Sequence, residues 1–202
     1  MKVCYIVGAG EFSGGFVPTE DDLVIAADGG YDLLTNHGIR CDLLVGDLDS
    51  LKDIPNGVQI IRHKVEKDET DMHLCFLEGA RRGYDFFRIY GGTGGRDDHT
   101  FANYCLLSYI RNHGGRAELF SKYAKTYVIK NESVTIRGKE GKTVSVFAFG
   151  SDAVGVSIEG LYYEAKDVTL TSDFPLGVSN HFTDKDAKIS VSDGTLLIIE
   201  ER

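Results

Sequence analysis

Up to about Ser121 the chain alternates short apolar runs with stretches whose apolar residues recur at helical spacing, and after Tyr123 the helical period disappears. The first pattern is that of a parallel sheet, whose neighbouring strands need crossover connections between them. Strands are expected at Val3–Val7, Leu23–Ala27, Leu43–Val45, Gln59–Ile61, Phe86–Tyr90 and Ala117–Phe120, and helices at Tyr31–His37, Thr70–Arg82 and Thr100–His113. Gly83 and Gly114 stand where the last two helices need a residue tolerant of left-handed backbone. Beyond Tyr123, β-branched runs alternate with turn residues at Val134–Arg137, Thr143–Phe149, Val168–Thr171, Ile189–Val191 and Thr195–Ile199, which predicts a small antiparallel sandwich or barrel. A length of 202 residues accommodates two small units at about 150 residues per domain.

In a parallel α/β sheet, ligands bind beyond the carboxyl ends of the strands. Here those positions are acidic and rich in glycine: Ala27-Asp28-Gly29-Gly30, Gly46-Asp47-Leu48-Asp49-Ser50, Lys67-Asp68-Glu69-Thr70-Asp71 and Gly91-Gly92-Thr93-Gly94-Gly95-Arg96-Asp97-Asp98-His99. Taken singly, Asp28 reads equally as a turn or cap residue and Asp71 as a carboxylate favoured by a helix N-terminus. Together they pose an electrostatic problem, since two carboxylates about 5 Å apart repel by roughly 3 kcal/mol at an effective dielectric of about 20. A cation is expected among them, and oxygen ligands without thiolate or imidazole suit Mg²⁺, which bridges carboxylates to phosphates. The glycine turn offers backbone N–H groups to phosphate oxygens, and Arg96 adds a planar cationic fork.

Two motifs lead nowhere. Gly141-Lys142-Thr143 resembles the end of a phosphate-binding loop, but residue 136 is Ile and a β-run follows, so it is read as a hairpin turn. Gly8-Ala9-Gly10 continues as Glu11-Phe12-Ser13, which breaks the dinucleotide-binding spacing. A net charge of −9 has the wrong sign for holding nucleic acid. No segment approaches the roughly 20 apolar residues that span a bilayer, and Val3–Val7 is shorter than a signal-peptide core, so no membrane partner and a cytoplasmic location are expected. The 4 cysteines, Cys4, Cys41, Cys75 and Cys105, contain no C-x-x-C pair and read as reduced, mostly buried packing residues.

These strand-end motifs, with Ala102-Asn103, Gly160-Leu161-Tyr162-Tyr163 and Pro175-Leu176-Gly177-Val178-Ser179-Asn180 following in order, resemble the thiamine pyrophosphokinase family over both halves of the chain. The resemblance implies a Rossmann-like α/β domain with a parallel sheet over residues 1–121, followed by an antiparallel β-sandwich that binds thiamine over residues 122–202. It implies diphosphate transfer from ATP to thiamine, giving thiamine diphosphate and AMP, by a homodimer with the acceptor site at its interface. Carried onto this chain, Asp28, Asp47, Asp49 and Asp71 would be catalytic, with Asp47, Asp49 and Asp71 holding Mg²⁺. Asp28, Gly29, Gly92, Thr93, Gly94 and Arg96 would meet ATP. Asp98, His99, Ser179 and Asn180 would face thiamine, with Tyr163 as an aromatic wall. The sequence departs from the family pattern in having Glu164-Ala165 where Pro-Leu is usual, and it has no Trp.

Three other functions share parts of this inventory. Asp47-Leu48-Asp49 mimics the nucleophile loop of a haloacid-dehalogenase-like phosphatase, but that loop follows the first strand of its core and here it follows the third. A diphosphokinase for another heterocyclic alcohol, such as a pterin, is disfavoured by Gly177–Asn180. A non-catalytic Mg-nucleotide or thiamine binding protein would not need so many acidic groups.

Overall fold

The first apolar run becomes β1 (Cys4–Val7), every residue of which is buried, as a strand covered on both faces must be. It lies between β2 (Leu23–Ala27) and β5 (Phe86–Tyr90), parallel to both, with Ile6 in register with Ile25 and Ile89. Outside them come β3 (Leu43–Gly46) and β4 (Gln59–Arg62) on one side and β6 (Arg116–Phe120) on the other, all paired in parallel. The strand order is therefore β6-β5-β1-β2-β3-β4. This is a computed structural model describing residues 2–47, 57–63, 68–138 and 140–202, and the chain divides into two units, Met1–Lys122 and Tyr123–Arg202. Leu48, Asp49, Ser50 and Lys67 lie outside the described residues.

Helices α1 (Gly30–Asn36), α2 (Asp71–Arg81) and α3 (Asp97–Asn112) follow β2, β4 and β5. The last begins earlier than its expected start at Thr100, because Arg96 takes the extended N-cap conformation and the carboxylates of Asp97 and Asp98 suit the first turn. Residues 8–22 join β1 to β2 without a helix. Aromatic rings cover the sheet there instead: Phe16 stacks on Tyr5 at 4.2 Å and lies 4.8 Å from Tyr90, and Phe12 is 6.0 Å from Tyr90.

Buried Asp22 fastens the start of β1 and β2. Its Oδ1 accepts from the Val3 N–H at 2.7 Å, and its Oδ2 accepts from the Thr19 N–H at 2.8 Å and hydroxyl at 2.9 Å. Burial by itself would raise the Asp22 pKa, but these bonds and Arg40 together hold it below the usual carboxylate value. A carboxylate with a lowered folded pKa stabilises fully above its unfolded pKa of about 3.9, and that stability is lost as pH falls through the folded value. Asp22→Ala will cost about 2–3 kcal/mol at pH 7, and the difference from wild type will shrink below about pH 4 in urea unfolding curves.

The second unit is antiparallel throughout. One sheet has the order β12-β9-β14-β7, from β7 (Ala124–Lys130), β9 (Thr143–Ala148), β12 (Asn180–His181) and β14 (Thr195–Glu201). The other has the order β11-β10-β13-β8, from β8 (Ser133–Ile136), β10 (Ala153–Glu159), β11 (Ala165–Leu170) and β13 (Ala187–Ser190). Val144 and Val146 of the first sheet and Val156 and Ile189 of the second share one buried core, so the unit is a sandwich. Gly141, at φ 80°, does sit in a turn, but β8 pairs with β13 while β9 pairs with β14 and β12. The expected hairpin is thus a crossing between sheets.

Candidate active site

The loops after β1 and β5 leave the sheet in opposite directions, because β1 continues to β2 on one side and β5 to β6 on the other. The crevice at such a switch point is where an open α/β sheet binds ligands. Its walls are tied together along the backbone: Gly8 N–H donates to the Tyr90 carbonyl at 2.9 Å, Gly10 N–H to Gly91 at 2.8 Å and Glu11 N–H to Thr93 at 2.7 Å. A Cβ on Gly10 would lie 2.4 Å from the Thr93 oxygen, so these loops approach as only glycine allows.

A cleft of about 660 Å³ opens there, lined by residues following β1, β2, β3, β4 and β5. Of the expected site residues it gathers Asp28, Asp47, Asp71, Gly92, Thr93, Arg96 and His99. Gly29 and Gly94 are not among its lining residues. Asp49 falls outside the described residues. Asp28 sits at φ 46°, a left-handed conformation that a short polar side chain tolerates better than most and that clusters at functional sites. Its amide donates to the Val45 carbonyl at 2.9 Å and its carbonyl accepts from Tyr31 N–H at 3.1 Å, linking the ends of β2 and β3 to α1. Asp71 is the first residue of α2, whose cap is Thr70: the hydroxyl accepts from His73 N–H at 3.2 Å.

Thr93 offers the cleft a buried hydroxyl. The residue is buried in the cleft wall and its Oγ1 has no hydrogen-bond partner among the described residues, an arrangement that costs free energy unless a ligand supplies the bond. Asn103, also buried, donates from Nδ2 to the Gly92 carbonyl at 2.8 Å and so fixes the glycine turn from α3. Arg96 lines the cleft with its guanidinium forked onto Asp98, Nε to Oδ1 at 3.1 Å and Nη2 to Oδ2 at 2.6 Å. That fork holds the Asp98 carboxyl below the usual range, and Asp98 itself is not a lining residue.

The fit to Mg²⁺ follows from donor chemistry. Asp28, Asp47, Asp71 and Glu69 supply carboxylate oxygens to the cleft, with no thiol among its lining residues. Among the described residues no group of three or more His, Cys, Asp and Glu is placed to hold a metal by itself. Mg²⁺ is ordinarily held by one or two carboxylates and completed by phosphate oxygens and water, which this donor set allows.

In the second unit, Ser179 is exposed at φ 55° and its N–H donates to the Ser145 hydroxyl at 3.0 Å. Tyr163 is 63% exposed. Asn180 is buried, and its amide is engaged with the Tyr163 backbone. Reasoning from sequence assigned no role to Gly8-Ala9-Gly10, Glu69, Thr70 or Asn103, all of which line the cleft. The signal for the first was present: glycines directly after the first strand, set aside because their spacing failed the dinucleotide pattern.

Residues 17–119 match the family model for the thiamin pyrophosphokinase catalytic domain, and residues 127–196 match that for the thiamin pyrophosphokinase vitamin B1 binding domain. The thiamine pyrophosphokinase of Bacillus subtilis (strain 168) is 26% identical over 187 residues, covering 89% of this chain and 87% of the relative. Among solved structures, thiamine pyrophosphokinase from Bacillus subtilis superposes with a TM-score of 0.88 at 22% identity, covering 100% of this chain and 99% of that one. The enzyme from Geobacillus thermodenitrificans gives a TM-score of 0.85 at 23% identity, with 99% and 97% covered. The Candida albicans protein gives 0.67 at 14%, with 99% and 89% covered. These likenesses establish a shared mixed α/β fold.

Proposed function

Because the chain belongs to the thiamin pyrophosphokinase family and so carries out ATP-dependent synthesis of thiamine diphosphate, we propose that the switch-point cleft of its parallel sheet binds Mg-ATP. The observation that carries this assignment is the convergence of Asp28, Asp47 and Asp71 with Gly91, Gly92 and Gly95 of the glycine turn and the buried Thr93 hydroxyl on one cleft. Asp47 and Asp71, with Asp49, would hold Mg²⁺, with Asp28 beside the nucleotide. Bound there, Mg²⁺ would neutralise phosphate charge and select which phosphorus is presented for attack.

The protein's own groups do the positioning, which is most of what phosphoryl-type transfer requires. Backbone N–H groups of the glycine turn, the Thr93 hydroxyl and the N-terminus of α3 offer donors to phosphate oxygens. Arg96 exchanges its Asp98 partner for phosphate when ATP binds. The hydroxyethyl oxygen of thiamine then attacks the β-phosphorus in line; the new O–P bond forms as the bond to the α-phosphate oxygen breaks, and AMP leaves. Asp71 or Asp98 accepts the hydroxyl proton. Tyr163 and Ser179 of the second unit contact the acceptor. The acidic surface, at net charge −9, favours approach of cationic thiamine.

We further propose a homodimer, supported by the exposed apolar residues Phe174, Leu176 and Val178 close together in the second unit. No helix among the described residues is long and apolar enough to cross a membrane. The thiols of Cys4, Cys41, Cys75 and Cys105 are all free, Cys4 and Cys75 buried and Cys105 exposed, which supports a reducing cytoplasmic location.

The test is incubation of purified protein with Mg-ATP and thiamine, with nucleotides separated chromatographically. AMP and thiamine diphosphate are expected in equal amounts, and only when both substrates are present. Free phosphate released regardless of thiamine would overturn the acceptor assignment.

A further inference from the structure

The turn carrying Tyr162 and Tyr163 is fastened at both ends by side chains. Asn180, only 5% exposed, accepts from the Tyr163 N–H through Oδ1 at 3.0 Å and donates from Nδ2 to the Tyr163 carbonyl at 2.8 Å. Its amide thus makes the pair of bonds that a neighbouring strand residue would make. The same Oδ1 accepts from the His181 N–H at 2.9 Å, and with two N–H groups facing one end and a carbonyl facing the other, the reverse orientation of the amide is excluded. At the start of the turn, Glu164 Oε1 accepts from the Gly160 N–H at 2.8 Å, and the Thr183 hydroxyl donates to the Gly160 carbonyl at 2.8 Å. Gly160, at φ 77°, has no room for a Cβ, which would lie 2.2 Å from the Asp186 oxygen.

What this fastening presents is a pair of rings. Tyr162 and Tyr163 are 68% and 63% exposed and meet edge to face, with centroids 4.8 Å apart. Large rings gain nothing from solvent, so a backbone held at both ends beneath two exposed rings points to a surface kept ready for a ligand. The turn also lies within the segment matched as vitamin B1 binding. Thiamine is flat, aromatic and cationic, the chemistry that an aromatic face attracts.

We propose that Asn180 and Glu164 are positioning residues: they lock the Tyr162–Tyr163 turn so that its rings form a preorganised face for thiamine, and neither touches thiamine itself. This rests on the reading that thiamine is the acceptor of this chain. A preorganised turn binds more tightly because less freedom is lost on binding. Releasing it weakens thiamine and leaves ATP alone. Glu164→Gln separates the lock from simple charge attraction, since the amide oxygen still accepts from Gly160 while the negative charge is gone.

The test compares Glu164→Ala, Glu164→Gln and Asn180→Ala in steady-state kinetics with each substrate varied in turn. Glu164→Ala and Asn180→Ala are expected to raise the thiamine KM by about five- to tenfold with the ATP KM changed less than about twofold, and Glu164→Gln to behave as wild type. The chain has no Trp, so Tyr163→Trp introduces a single indole whose fluorescence anisotropy reports the turn directly. In that background Glu164→Ala lowers the anisotropy and Glu164→Gln does not. Equal rises in both KM values, a Gln variant as impaired as Ala, or an unchanged anisotropy overturns the lock. Glu164 is exposed, so its variants decide the matter even where Asn180→Ala fails to fold. Wild-type protein that makes no AMP from ATP and thiamine overturns the acceptor reading itself, a failure distinct from that of the lock, which the anisotropy reads without turnover.

Discussion

Asp47→Asn and Asp71→Asn will each lower turnover by about a hundredfold or more, with folded protein recovered in both cases. The amide keeps the size of the carboxylate and removes its charge, so under the proposed metal site the loss is of attraction for a divalent cation rather than of packing. Both side chains line the same cleft, one just after β3 and the other at the first position of α2. Their stabilities should nevertheless differ. Asp71 also neutralises the positive end of α2, a contribution of about 0.3–1 kcal/mol that Asn largely forfeits, whereas Asp47 follows a strand and has no helix dipole to neutralise. Activity titrated against Mg²⁺ is the decisive measurement, and both variants should need more of the ion to reach half their maximum. Near-normal turnover in both, at ordinary Mg²⁺, would remove the metal assignment.

Strands buried on both faces were the most legible elements. Leu23–Ala27 and Phe86–Tyr90 come out with the bounds expected, the first as an uninterrupted apolar run and the second despite Arg88 at its centre. In the second unit β10 escaped notice because Gly155, at φ 67°, puts a register shift into the strand and breaks the alternation that would reveal it. Its neighbour across the core, β9, alternates cleanly and was visible. β7 has no counterpart among the expected strands because Lys125 and Lys130 obscure its pattern; its pairing with β14 along the whole of Ala124–Lys130 is a tertiary fact.

The cleft was legible for a different reason. Carboxylates and glycines are conspicuous when they recur at successive strand ends, and the rule that ligands meet those ends requires no knowledge of side-chain contacts. What the pattern does not carry is who holds whom. Nothing in the spacing of Arg96 and Asp98 distinguishes two ligand contacts from a fork made between them, and nothing at Asn180 signals that its amide is spent on the backbone of Tyr163, distant in sequence. Helix geometry also intervened: starting α3 at Asp97 moves Asp98 and His99 from a loop into a first turn, where His99 reaches the cleft and Asp98 does not.

Gly91→Ala will destabilise the protein by more than about 3 kcal/mol, and Gly95→Ala will not. The two glycines belong to one turn but are required for different reasons. Gly91 stands at φ 62°, and a Cβ there would lie 2.1 Å from the Gly8 carbonyl oxygen, so alanine brings both a left-handed backbone and a collision with the loop after β1. Neither wall can retreat without breaking the Gly8–Tyr90 and Gly10–Gly91 hydrogen bonds that tie the crevice together. Thermal melting should fall by roughly 6–12 °C for a chain of this size, with activity lost alongside. At Gly95 a Cβ meets nothing within 4 Å among the described residues and the backbone is not left-handed, so the described fold has no need of glycine there. Any loss of ATP-dependent turnover in Gly95→Ala at unchanged melting temperature therefore reports the substrate's own approach to that backbone, as a phosphate seated on the turn requires. Full activity in Gly95→Ala would move the phosphates away from this end of the turn, and a Gly91→Ala protein that melts as wild type would show that the crevice walls are not bound to each other as their hydrogen bonds imply.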